Sequence, residues 1–256
     1  MGLFEHQLER AVVIQAAPET VFRYFTDSAR WAKWWGAGST IDAQPGGRVY
    51  IRHPNGIEMS GEVLEVSAPR RIVFTYGFES GKPIPPGASR VTILLTPDAT
   101  GTRLRLTHEF DDAAVRDHHV QGWRFQLSLF GNVVSDEVNA AAEAIVDGWF
   151  DAWAITDAGA RDAAFQKIAV AGLQFRDRYS LLDSLEEVSA HAAAAQMYMP
   201  GIRMHRTGGI RHCQGTVLAE WVAAAADGKQ VMSGTNVFTL GADGRIQSAT
   251  GLANQA

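Results

Sequence analysis

Two kinds of hydrophobic spacing divide the chain. Between residues 5 and 110 the apolar positions recur at every second residue. Leu104, Leu106, His108 and Phe110 alternate with Arg103, Arg105, Thr107 and Glu109, and Ile72, Phe74, Tyr76 and Phe78 alternate with Val73, Thr75, Gly77 and Glu79. A period of two puts one row on a buried face and the other toward solvent, so these segments read as strands. Asn55-Gly56 and the stretch from Asp98 to Gly101 supply hairpin turns, which makes the sheet antiparallel. Two helical stretches interrupt it. Pro18 stands where a first-turn proline belongs, and Val21, Phe22 and Phe25 lead from it into the cluster Trp31, Trp34, Trp35. Asp111 or Asp112 caps a longer helix running to about Val134, with His119, Trp123, Leu127 and Phe130 on one stripe. The predicted order is strand, short helices, six strands, long helix. A curved sheet wrapped around that long helix would bury every apolar row at once.

From Ser135 the pattern changes. Ser135-Asp136-Glu137 reads as a fresh helix start, with Val138, Ile145, Trp149 and Trp153 following at helical spacing. A second helix is expected over about 160–170 and a strand over 172–179. A third helix opens on the capping box Ser184…Glu187 and stops at Pro200-Gly201, and three or four strands close the chain around the turns Asp227-Gly228 and Asp243-Gly244. These patterns predict an α+β chain with a first domain over 1–134 and a second over 135–256, joined without a Gly/Ser or Pro-rich linker.

Composition narrows the function classes. Of 256 residues, 46% are hydrophobic and 20% charged, an ordinary globular mixture rather than a disordered or fibrous one. Residues 1–134 carry 14 basic and 14 acidic side chains and residues 135–256 carry 9 and 14, so neither half has the basic footprint of a nucleic-acid binder. Cys213 is the lone cysteine, which excludes an intrachain disulfide and makes a reducing cytoplasm the expected setting. The first residues, Met1 to His6, show neither a secretion nor a myristoylation pattern, and no apolar run reaches the roughly 20 residues that cross a bilayer, so no membrane partner is expected. His118-His119 are adjacent rather than four apart, Gly36-Ala37-Gly38 lacks the rest of a dinucleotide loop, and no Gly-x-Ser-x-Gly elbow occurs. Neither a metal nor a cofactor is therefore expected.

Particular residues carry two resemblances. Val12-Val13-Ile14, Ala17-Pro18-Glu19-Thr20-Val21-Phe22, Trp34-Trp35-Gly36, Gly61-Glu62-Val63-Leu64-Glu65-Val66, Arg71-Ile72-Val73-Phe74 and Gly122-Trp123 make residues 4–134 resemble the START/polyketide-cyclase (SRPBCC) superfamily, in its branch of activator-of-heat-shock-ATPase homologues. The resemblance implies a helix-grip fold with a hydrophobic cavity between sheet and long helix. Phe175-Arg176-Asp177-Arg178-Tyr179, Arg211-His212-Cys213-Gln214-Gly215 and Gly234-Thr235-Asn236-Val237-Phe238 make residues 137–252 similar to the nuclear-transport-factor-two-like superfamily, particularly its SnoaL-like and ketosteroid-isomerase-like members. That implies a cone of helices against a bent sheet, an apolar pocket, and a homodimer formed through the sheet.

Candidate chemistry centres on Asp177. If the strand runs through 179, Leu173, Phe175, Asp177 and Tyr179 share one face and a carboxylate is threaded into an apolar row, where its ionised form needs donors. If the strand ends near Arg176, Asp177 sits in a loop, pairing with an arginine or capping the Ser180–Ser184 turn. In the isomerase-like relatives an Asp at the corresponding position is the base that moves a proton beside a carbonyl. Their oxyanion donors, a tyrosine and a protonated acid, are missing, and Trp149, Trp153 and Asn236 offer N–H groups instead. His212 is a further candidate for the pocket, while Cys213 shares parity with Val217, Ala219 and Trp221 and is expected in the core. Tyr179 and Phe238 would complete that pocket. In the first half Trp34, Trp35, Phe74, Tyr76, Phe78, His108, His119 and Trp123 would line the other one, although core packing accounts for the same residues.

These readings predict two cavities for small apolar molecules, with cofactor-free isomerase, cyclase or dehydratase chemistry in the C-terminal half. The alternatives are a non-catalytic sensor or carrier, and a co-chaperone-like regulator of a heat-shock ATPase.

Overall fold

The computed structural model describes residues 4–254 and divides into two compact units, Met1–Ser135 and Asp136–Ala256. The reading of Met1 to Leu3 lies outside the described residues. The chain is α+β, a helix-grip unit followed by a cone-shaped α+β unit.

In the first unit, β1 (His6–Ile14) is followed by α1 (Pro18–Arg23), α2 (Ser28–Trp35), the six strands β2 (Thr40–Ile41), β3 (Arg48–Arg52), β4 (Glu58–Ser67), β5 (Arg71–Phe78), β6 (Ser89–Asp98) and β7 (Gly101–Phe110), and then α3 (Ala113–Val138). The strands form one antiparallel sheet in the order β1-β7-β6-β5-β4-β3-β2. Leu104, Leu106, His108 and Phe110 of β7 are all buried, as the alternation requires. Helix α2 opens on Asp27, whose carboxylate accepts from the Arg30 N–H, and α3 opens on Asp112, which accepts from the Val115 N–H at 2.9 Å. The buried stripe of α3 includes His119, Trp123, Leu127, Phe130 and Val134.

Helix α3 does not stop at Val134. It runs through Ser135-Asp136-Glu137 to Val138, and the break comes at Asn139–Ala141, before α4 (Ala142–Trp153). A Ser-Asp-Glu sequence starts a helix only when the preceding residue leaves helical geometry, and neither Gly nor Pro stands between Asn132 and Val138 to force that.

The second unit continues with α5 (Ala158–Ile168), β8 (Ala169–Arg176), β9 (Leu181–Leu182), α6 (Leu185–Tyr198), β10 (Arg203–Cys213), β11 (Thr216–Ala224), β12 (Gln230–Leu240) and β13 (Ile246–Ala253). Its sheet has the order β10-β11-β12-β13-β8-β9, with β13 and β8 parallel and the other pairs antiparallel. Ser184 caps α6 by accepting from the Glu187 N–H, and the Glu187 carboxylate reaches back to the Asp183 N–H at 2.7 Å. Arg161, buried on α5, ties the helices together: its Nε donates to Ser189 Oγ on α6 at 3.0 Å, and Nη1 donates to the carbonyls of Ile155 and Thr156. The core under the sheet is built from Val146, Trp149, Phe150, Phe165, Leu173, Val188 and Phe238.

Candidate functional site

In the first unit the aromatic side chains pack ring on ring. Trp34 lies 4.4 Å from Trp35, 4.9 Å from Phe130, 5.1 Å from Trp31 and 5.6 Å from Phe25, centroid to centroid. Trp31 is edge-on to Phe74, and Trp35 is edge-on to Trp123. Tyr76 and Phe78 pack edge-on to His119. At these residues the interior is occupied by neighbouring side chains, and aromatic pairs in such geometry stabilise beyond their burial.

The two histidines sit at the centre of this packing. His108 Nδ1 accepts from the Trp123 indole N–H at 2.9 Å. An indole only donates, so the proton of a neutral His108 must be on Nε2, which then donates to Ser89 Oγ at 2.8 Å, and the serine hydroxyl donates on to the Tyr76 carbonyl. Burial, with a smaller contribution from His119, holds His108 well below the ordinary imidazole range. Burial lowers His119 as well, against the Val115 carbonyl that its Nδ1 contacts at 2.7 Å, and leaves its Nε2 without a partner. Burial likewise raises the Tyr76 phenol.

Both histidines are therefore neutral in the fold, whereas an unfolded chain protonates them below about pH 6.5. Stability is fully present above that value and is lost as pH falls toward the depressed folded values. For His108, the more strongly depressed of the two, the expected slope approaches ~1.4 kcal/mol per pH unit, and His119 adds to it in the same direction. Urea titrations at pH 7 and pH 5 check this, and His108→Gln should flatten the difference; equal stability at both values would contradict it.

The second unit holds a cavity of about 400 Å³ beneath α6, within the usual size range of small-molecule sites. Trp149, Trp153 and Phe175 form its floor, and Met199, Ile202 and Met204 form one side. Tyr179 and Tyr198, both largely exposed, stand at its mouth. A shallower groove beside β12 and β13 shares Asp177, Arg178, Tyr179, Met232, Gly251 and Ala253 with it.

Strand β8 ends at Arg176, so Asp177 is a half-buried loop residue at the cavity wall and not part of the apolar strand row. Its Oδ1 accepts from the Tyr179 N–H at 2.8 Å, an Asx turn, while its own N–H donates to the Ser180 carbonyl. It pairs with neither adjacent arginine. Asn236 is buried on β12 and lines the same cavity, with its Oδ1 accepting from the Trp221 indole N–H at 2.9 Å. The two residues converge on Gly251: a β-carbon built there would lie 3.3 Å from Asp177 Cβ and 3.4 Å from Asn236 Oδ1. Trp153 also lines the cavity, and its buried indole N–H has no partner.

The structure thus brings Asp177, Trp153, Asn236, Trp149 and Tyr179 to one cavity. Phe238 lies behind Trp149, at 5.8 Å, in the core. His212 is elsewhere: its Nδ1 contacts Asp136 Oδ1 at 3.2 Å and its Nε2 accepts from the Gly215 N–H, which pins the β10–β11 hairpin. Cys213 is exposed, not in the core. The cause is the two-residue turn Gln214-Gly215, both with positive φ, which pairs Cys213 with Thr216 and His212 with Val217. Parity does not carry through a two-residue turn, so Cys213 faces outward with Thr216 while His212 shares the side of Val217.

His191 on α6 lines the cavity 5.6 Å from the Trp153 ring, with Nε2 at 3.1 Å from Ser180 Oγ. The sequence signal for it was the phase set by the Ser184 cap, which puts His191 three residues after the buried Val188 and four before Ala195, which packs on the core. Among the described residues no cluster of His, Cys, Asp and Glu could hold a metal ion, and no helix is long and apolar enough to cross a membrane.

No curated protein matches the chain in sequence. Solved structures similar to it include a provisional isomerase of the SnoaL-like family from Agrobacterium tumefaciens strain C58, at 22% identity over 44% of this chain and 96% of that one, with a TM-score of 0.42. Another is the Aha1 dimer from Colwellia psychrerythraea, at 19% identity over 48% and 92% of the two chains, with a TM-score of 0.42. At this level the likenesses do not bear on function. Residues 15–134 match the model of the family described as Activator of Hsp90 ATPase homolog 1-like protein, the branch that the first half of the chain resembles.

Proposed function

We propose that the second unit binds a small, largely apolar carbonyl compound and moves a proton beside its carbonyl without a cofactor. The observation that carries this reading is the convergence of Asp177 and Asn236 on the bare Cα of Gly251, at the wall of a cavity floored by aromatic rings. Asp177 Oδ1 is committed to the Tyr179 N–H, which orients the carboxylate and leaves Oδ2 to accept the proton from carbon. The electron pair moves to the carbonyl oxygen, and the Asn236 amide and the Trp153 indole N–H donate to the oxyanion that forms. Asp177 then returns the proton to the same or a conjugated carbon. The two units, divided after Ser135, act as separate domains in a cytoplasmic protein.

The test uses 1-tetralone, a bicyclic ketone of suitable size, in deuterated buffer. Proton NMR should show its α-protons exchanging at least about tenfold faster with protein than without, a modest fraction of what a positioned base contributes. Buffer-level exchange would remove the catalytic reading. The unpartnered Trp153 N–H favours a second reading, a non-catalytic carrier whose cargo satisfies that donor. Native mass spectrometry of freshly purified protein would then show a retained small molecule.

A further inference from the structure

We propose that Trp221 is a positioning residue of this cavity: its indole N–H fixes which way the Asn236 amide faces, and so presents the amide N–H to a ligand oxygen. The inference rests on the proposed site but concerns a different residue and a different step, the placing of a donor before any ligand arrives.

A glycine makes room for the indole. Trp221 on β11 is paired directly across the strands with Gly234 on β12. A β-carbon at position 234 would stand 2.6 Å from Cζ2 and 2.9 Å from Cε2 of the Trp221 ring, and 2.5 Å from the Leu252 carbonyl oxygen. Only a bare backbone lets the indole lie across β12 at that point, a use of glycine in a strand that the absence of a side chain makes possible. Lying there, the ring carries Nε1 to within 2.9 Å of Asn236 Oδ1, two residues along the same strand.

Chemistry then removes the usual ambiguity of an amide. The oxygen and nitrogen of an asparagine side chain can be exchanged by a half-turn, but an indole N–H can only donate, so the atom facing it must be the oxygen. The amide nitrogen is thereby held at the opposite edge of the planar group, away from the indole. Asn236 is almost fully buried and lines the cavity, and its Nδ2 donates to no group among the described residues. Were the amide free to turn, it would offer a carbonyl oxygen to the ligand for part of the time, which repels a developing oxyanion. Trp221 excludes that orientation.

The experiment uses the full chain and two probes of one skeleton, 2-naphthol and naphthalene, with binding followed by fluorescence. The naphthol oxygen stands in for the enolate oxygen, and naphthalene has no oxygen to receive the amide. Wild-type protein should prefer 2-naphthol. Trp221→Phe should weaken 2-naphthol about tenfold, the size expected for one misdirected hydrogen bond, and change naphthalene less than about twofold. Asn236→Ala should lose the same preference, and adding Trp221→Phe to it should lower that preference no further, because Trp221, which also lines the cavity, acts on the ligand oxygen only through Asn236. Equal weakening of both probes, an unchanged preference, or a further loss in the double variant would overturn the proposal. Should Trp221→Phe not fold, Trp221→Met removes the same indole N–H with a flexible apolar side chain; a retained 2-naphthol preference in that variant would overturn it too. A lost preference in Trp221→Phe combined with no exchange of 1-tetralone would leave this inference standing and remove the catalytic reading alone.

Discussion

Asparagine in place of Asp177 is expected to slow the exchange of 1-tetralone by about 10²- to 10⁴-fold, the range that a positioned general base supplies. The substitution is informative because of the Asx turn. The Asp177 Oδ1 accepts from the Tyr179 N–H at 2.8 Å, and an asparagine carbonyl at the same place accepts equally well. The backbone bond from the 177 N–H to the Ser180 carbonyl does not involve the side chain at all. The loop therefore keeps its shape, and the change in folding free energy should stay within about 0.5 kcal/mol, as for a surface replacement that breaks no contact. What disappears is a lone pair basic enough to take a proton from carbon. Asp177→Ala is the poorer test, since it removes the turn along with the base. Exchange at the wild-type rate in Asp177→Asn, with the protein folded, would show that the carboxylate is a structural element of the loop and that the base is another group.

The elements that could be read from the sequence are those whose pattern is local. The β7 row Leu104, Leu106, His108, Phe110 and the α3 stripe His119, Trp123, Leu127, Phe130 each depend on one spacing rule held over a single element, and both are buried as that rule requires. Readings that cross an element boundary fared worse. The parity that Cys213 shares with Val217 does not survive the two-residue turn between them, because a turn of that length exchanges the faces. The segment 172–179 allows two strand ends, and the structure takes the shorter one, at Arg176, because the Asx turn of Asp177 bends the chain there, a side-chain to backbone bond that no hydrophobic pattern reveals. The site has the same limit. Trp153 and Asn236 could be named from their elements, but the pairing of Trp221 with Gly234 depends on strand register, and register follows from which turns close which hairpins. His191 lies between these cases, since its helix phase was readable and its neighbours in space, Trp153 and Ser180, were not.

In the first unit the largest effect is expected from Trp34→Ala. Trp34 is 1% exposed and contacts four other rings, and its indole N–H donates to the Tyr24 carbonyl at 3.3 Å. Truncating a buried tryptophan costs about 3–5 kcal/mol, the lost transfer of the ring plus the cavity it leaves. For a unit of this size that corresponds to a fall in thermal midpoint of roughly 10–20 °C, a large part of the stability of an ordinary domain. The Gln126 amide donates to the Trp34 backbone carbonyl and so survives the substitution, which confines the loss to the ring. Trp34→Phe should recover more than half of the midpoint, because a benzene ring refills most of the volume while still forgoing the bond to Tyr24. The measurement discriminates between two interiors. If the rings around Trp34 are close-packed, alanine leaves a void whose lining has lost its partners, and free indole added at millimolar concentration should raise the midpoint by filling it. If the helix-grip interior were already hollow beside Trp34, the truncation would merely enlarge an existing space. The midpoint would then move by only a few degrees, and indole would have bound the wild-type protein as well. Binding of 2-naphthol to the second unit should be unchanged within about twofold at temperatures where the variant is folded, since every residue lining that cavity comes from 149 onward and none of them is among the partners given above for Trp34.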